Sequence, residues 1–189
     1  DHRAKGRLDY VGEHYLKFAQ SGDYFLKGGA DSPENFLAFA DFDQTPPTHR
    51  YAPHALDWRA GDPTWRDGKG KNMIGALNYL ADHGVNSVYL LLMNLGGDGN
   101  DVFPFVGSSG SAFENRHYDV SKLDQWEIAF THADRVGIFM HLLLCEASND
   151  MYYNSEGKTL GRIRKLFFRE MMARFGHHLA FQLDLGEEN

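Results

Sequence analysis

Three stretches of this chain are almost continuously apolar, and each follows a segment whose apolar residues recur at helical spacing. In residues 71–83, Met73, Ile74, Leu77 and Leu80 fall on one face, which predicts an amphipathic helix, and Gly84 stands where a left-handed stop belongs. The run 85–93 then reads as a strand covered on both faces. In residues 121–135, Leu123, Trp126, Ala129, Phe130 and Ala133 make a second helical stripe, with Ser121 and Asp124 at capping-box spacing. The strand 136–144 follows. Residues 162–175 predict a third helix with Ile163, Leu166, Phe167 and Phe175 inward and Gly176 beyond its end. The apolar run 179–185 closes the series.

Ahead of these elements the pattern is shorter. Residues 8–11 and 15–18 alternate like strands, Ser21-Gly22-Asp23 signals a turn, and 24–29 reads as a further strand. We divide the chain into an N-terminal segment and hairpin (1–23) and one α/β unit (24–189). Residues 32–70 hold no sustained period and carry five prolines with Tyr51, Trp58 and Trp65. A loop of that length is either functional or a cover over the sheet. The order β-α-β-α-β-α-β predicts a parallel sheet with right-handed crossovers.

In a parallel sheet all C-terminal strand ends share one edge. Asp31, Asn94, Glu146 and the pair Glu187-Glu188 are therefore expected on a common rim. Nucleotide chemistry is unsupported, because 28–33 is no G-x-G-x-x-G and 96–99 is no phosphate loop. A net charge of -7 without like-charge blocks gives no nucleic-acid footprint, and no apolar run reaches membrane-spanning length. The 42% hydrophobic content excludes wholesale disorder. The single cysteine, Cys145, rules out an intrachain disulfide and reads as a buried structural thiol.

Carboxylates on such a rim suit glycoside hydrolysis, where one protonates the leaving oxygen and another attacks or activates water. Adjacent strand residues point to opposite sides, so Glu187 and Glu188 cannot be both members of that pair. Asp98, Asn100 and Asp101 offer oxygens for Ca²⁺, although the spacing completes no EF-hand loop. His141 reads as a core histidine. His177-His178 precedes the last strand, on the face opposite the rim, which argues against a catalytic or metal role.

Several blocks resemble a known family. They are residues 24–35, the run from His54 through Asp57-Trp58-Arg59 to Trp65, residues 78–89, residues 117–127, and the stretch from Arg174 to Asn189. Together they resemble bacterial secreted (β/α)₈ TIM-barrel glycoside hydrolases of the clan-A type, agarase-like or apiosidase-like, whose members carry accessory β-sandwich and collagen-binding-type domains. The resemblance implies a retaining barrel enzyme, extracellular or periplasmic, of which this chain holds strands one to four behind a short hairpin. It implies a general acid/base at the end of strand four. Glu188 falls on that position and Glu187 on the one usually held by Asn, which leaves both as candidates. The nucleophile would lie outside this chain, the remaining half of the barrel would come from elsewhere, and the half present would expose the apolar inner face of its sheet. Asp31, Asn94 and Glu146 would line the cleft, with Trp58 and Trp65 as sugar platforms. No cofactor is required. A non-catalytic carbohydrate-binding protein is the alternative reading.

Overall fold

The computed structural model describes residues 1–29, 33–95, 99–107, 114–146 and 160–187, without the side chains of 114–116. After a 3-10 turn, η1 (His2–Ala4), come three short strands, β1 (Leu8–Asp9), β2 (Leu16–Phe18) and β3 (Tyr24–Phe25). A second 3-10 segment, η2 (Ala52–Asp57), leads to α1 (Lys71–Asp82) and β4 (Ser87–Leu91). Then follow β5 (Phe105–Val106), β6 (Glu114–Tyr118), α2 (Val120–Val136), β7 (Phe139–Leu143), α3 (Arg162–Phe175) and β8 (Phe181–Asp184).

The apolar runs form one parallel sheet in the order β4-β7-β8, with Tyr89, His141 and Gln182 in register, and likewise Leu91, Leu143 and Asp184. Side chains alternate across a strand, and here the two faces differ. Val88, Leu90, Met140 and Leu142 join the main core with Met73, Ile74 and Leu77 of α1, with Trp126 and Phe130 of α2 and with Phe167 and Phe175 of α3. The other face meets a small separate cluster, in which Phe18 and Phe25 pack on Phe139 and Ala180.

The expected barrel is not what the chain builds. Among the described residues the sheets are small and mixed: three antiparallel strands (β1-β2-β3), three parallel strands, and the two-stranded antiparallel pair β5-β6. No barrel closes. The residues read as the first parallel strand go elsewhere, because Tyr24 and Phe25 pair antiparallel with Lys17 and Leu16. Beyond them, Asn86 fixes the chain without a ladder. Its side chain accepts from Gly28 N and donates to Leu26 O, and its N–H donates to Gly28 O. A Cβ on Gly29 would sit 1.9 Å from Ser87 O, so only glycine passes there. Among the described residues the apolar positions of this sheet are covered, with Leu91 and Leu143 buried.

Residues 33–70 form a cover. Phe36, Leu37, Phe39, Phe42 and Trp65 are buried in the main core. Asp119 caps α2 by accepting from Lys122 N. Ser121, the expected cap, instead donates to Asp43. In α3 Leu166 points outward and Met171 takes its place in the core. A polar network joins α1, α2 and the 57–62 turn: Asn78 donates to Asp57 O and Asp62, Arg135 donates to Asp62, and His132 bonds to Asn78.

Candidate functional site at the strand ends

The second face of the parallel sheet carries polar side chains from its middle to its C-terminal edge. Tyr89 on β4, His141 on β7 and Gln182 on β8 stand side by side. Tyr89 and His141 meet edge to face, with ring centroids 5.0 Å apart. Lys27 Nζ lies 3.0 Å from His141 Nδ1. An ammonium has only protons to offer, so Nδ1 accepts and the proton is assigned to Nε2. That nitrogen faces the Asp184 carboxylate at 3.8 Å, an electrostatic rather than a hydrogen-bonding distance. Beyond β8, Tyr89 Oη donates to Glu187 Oε1 at 2.9 Å, and Glu187 N–H donates to Cys145 O. The chain after β8 is thereby tied to β4 and to the segment just past β7.

Glu146, two residues past Leu144, is buried at the same edge. Asn94 is also buried, but its side chain serves the protein itself: Oδ1 accepts from Asp101 and Val102 N–H, and Nδ2 donates to Asp101. Trp65 lies in the core, stacked on Phe42 with its Nε1 donating to Asp41 O. Trp58 is half-buried and has Lys71 Nζ 4.5 Å above its ring. Asp31 and Glu188 lie outside the described residues. The structure thus brings Glu187 together with Tyr89, His141, Asp184 and Lys27, four residues that sequence reasoning had not placed in a site. Parity along the strands was the available signal, since 89, 141, 182 and 184 share one face once the register is known.

On the calcium expectation, Asp98 lies outside the described residues. Both Asp101 oxygens already accept protons, from Asn35, Thr48 and Asn94. A group that could hold a metal ion lies elsewhere: Glu127, His177 and His178 have ligand atoms all within 4.8 Å of one another. No described helix is long and apolar enough to cross a membrane. Compared with family models, curated proteins and solved structures, the chain matches none.

Chemically, the strand-end cluster combines carboxylates, an imidazole and a phenol on one part-buried sheet face. Asp184 and Glu187 can accept or deliver a proton, Tyr89 can orient a carboxylate, and Lys27 and Gln182, both exposed, can bond to hydroxyl groups.

Proposed function

We propose that the protein hydrolyses glycosidic bonds of a polysaccharide or oligosaccharide. Glu188 takes the role of general acid/base from the sequence resemblance, and Glu187, Asp184, His141 and Tyr89 form the polar cluster at the strand ends. One observation carries this reading: the C-terminal ends of neighbouring parallel strands deliver carboxylates to one edge, and Tyr89 reaches across the sheet to hold Glu187. A glycosidase needs a proton donor at the leaving oxygen and a second carboxylate near the anomeric carbon. Retention of configuration and secretion come from the sequence resemblance. A calcium ion at Asp101 would have to displace three donors, so the reading uses none.

The test is reducing-end release by the intact protein from galactan, pectic and arabinan substrates, alongside binding of the same glycans. Glu188→Gln is expected to lower turnover about 10²–10⁴-fold while binding persists. Loss in Glu187→Gln with Glu188→Gln still active would move the acid/base by one residue. Glycan binding without any release by the wild type would instead identify a carbohydrate-binding protein.

A further inference from the structure

The turn between α3 and β8 carries His177 and His178 at the N-terminal end of the parallel sheet, away from the strand-end cluster. Glu127 faces them from α2. Both rings are oriented alike by their second nitrogens. His177 Nδ1 lies 2.9 Å from Arg174 O, and His178 Nδ1 lies 2.7 Å from Asp134 Oδ2. Each Nδ1 faces an oxygen acceptor and therefore carries a proton. Both Nε2 atoms then converge on a single carboxylate, His177 on Glu127 Oε1 and His178 on Glu127 Oε2, each at 3.2 Å. In the metal-free protein a proton bridges His178 Nε2 and Glu127, and a metal ion would bind by taking its place.

We propose that Glu127, His177 and His178 bind one divalent first-row transition ion of the Zn²⁺ class. Each imidazole stands 3.2 Å from one Glu127 oxygen, near the about 3.3 Å that separates ligand atoms about 2.0–2.1 Å from a tetrahedral ion, and the three ligand atoms lie within 4.8 Å of one another, so small side-chain adjustments close the shell. The donor set fits as well. Two imidazoles and a carboxylate suit Zn²⁺ or Co²⁺, whereas Ca²⁺ and Mg²⁺ take all-oxygen shells. The surroundings have the arrangement that metal-binding histidines need, with each Nδ1–H held by a carboxylate or a carbonyl. Thr131 donates to Glu127 Oε1 and fixes the third ligand. His178 is buried, Glu127 is part-exposed and His177 is open to solvent, which gives the ion a way in. Three protein ligands leave a fourth position for water. Glu127 also borders a cleft of about 520 Å³ lined by Arg3, Thr131, His132 and Arg135.

The experiment is calorimetric titration of EDTA-treated 189-residue protein with ZnCl₂, and with CaCl₂ and MgCl₂ as controls. One Zn²⁺ per chain is expected, with no saturable heat from the controls and with tetrahedral d–d absorption when CoCl₂ is used. His177 is exposed, so His177→Ala should keep the metal-free circular dichroism spectrum and lose the 1:1 site. Glu127→Gln, which preserves shape, should do the same. Asp134→Asn should weaken binding about 10–100-fold by loosening His178. The proposal is overturned if the wild type shows no saturable 1:1 binding. It is equally overturned if folded His177→Ala and Glu127→Gln bind Zn²⁺ as tightly as the wild type, which would place the ion among other surface histidines.

Discussion

His132 sits where α1, α2 and the 57–62 turn meet, and its two ring nitrogens face different kinds of partner. Arg135 donates to Nδ1 at 2.9 Å, which assigns the proton to Nε2, and Nε2–H donates to Asn78 Oδ1 at 2.8 Å. Every ring atom able to bond is used by the neutral form. Burial, reinforced by the Arg135 charge, pushes the imidazole pKa down from 6.5 to about 4. Between those values the unfolded chain binds a proton that the folded chain refuses. Stability from this group is therefore complete above pH 6.5 and falls as pH drops toward 4, by on the order of 3 kcal/mol. Urea midpoints of wild type and His132→Gln across pH 4 to 7 check this: the variant should lose that part of the slope, and equal slopes would refute the assignment. Little of this was visible in the sequence, where His132 lies on the polar-looking side of a helix and one of its two partners, Asn78, is 54 residues away.

At the scale of elements, α1 and η2 pack backbone to backbone. A glycine in a helix interior costs about 1 kcal/mol relative to alanine, yet Gly75 stands in the middle of α1. A Cβ there would meet His54 O at 1.9 Å and Trp58 N at 3.0 Å. Gly75→Ala should therefore destabilise the protein, by about 2 kcal/mol or about 4–8 °C in Tm, although it raises helix propensity. An unchanged or higher Tm in thermal denaturation would show that η2 can move aside. Helices and parallel strands were largely legible, because their periods of 3.6 and their continuous apolar runs depend on local burial alone. The cover formed by 33–70 was legible only as one of two alternatives, and its core residues were not. Its buried residues follow no period because each reaches the core from an irregular backbone held by side chains, as when Lys122, itself buried, donates to Gln44 O and Phe103 O.

For the molecule as a whole, the sheet divides two unequal bodies. One face carries the main core and all three α-helices, while the hairpin strands β1 to β3 rest on little more than Phe18, Phe25, Phe139 and Ala180. Local opening follows such differences in buried apolar contact. Hydrogen exchange should accordingly release amides of residues 8–25 well before those of β4 and β7; equal protection would mean that the two bodies open as one. The barrel expectation failed at this scale. Apolar runs announce parallel strands, but closure depends on which edges pair, and β3 spends its pairing on β2. The strand-end residues were legible only as a rim. Tyr89 and His141 lie inside apolar runs, so their role appears only once the register sets them beside Asp184 and Glu187. That shared register makes the protein sensitive to a kind of change that substitutions do not probe. Removing one residue between Val136 and Phe139 would turn β7 over. His141 would then face the helices, Met140 and Leu142 would take its place beside Lys27 and Tyr89, and the core and the site would be lost together. Insertions and deletions should therefore be tolerated in exposed surface turns but not at the starts of these strands.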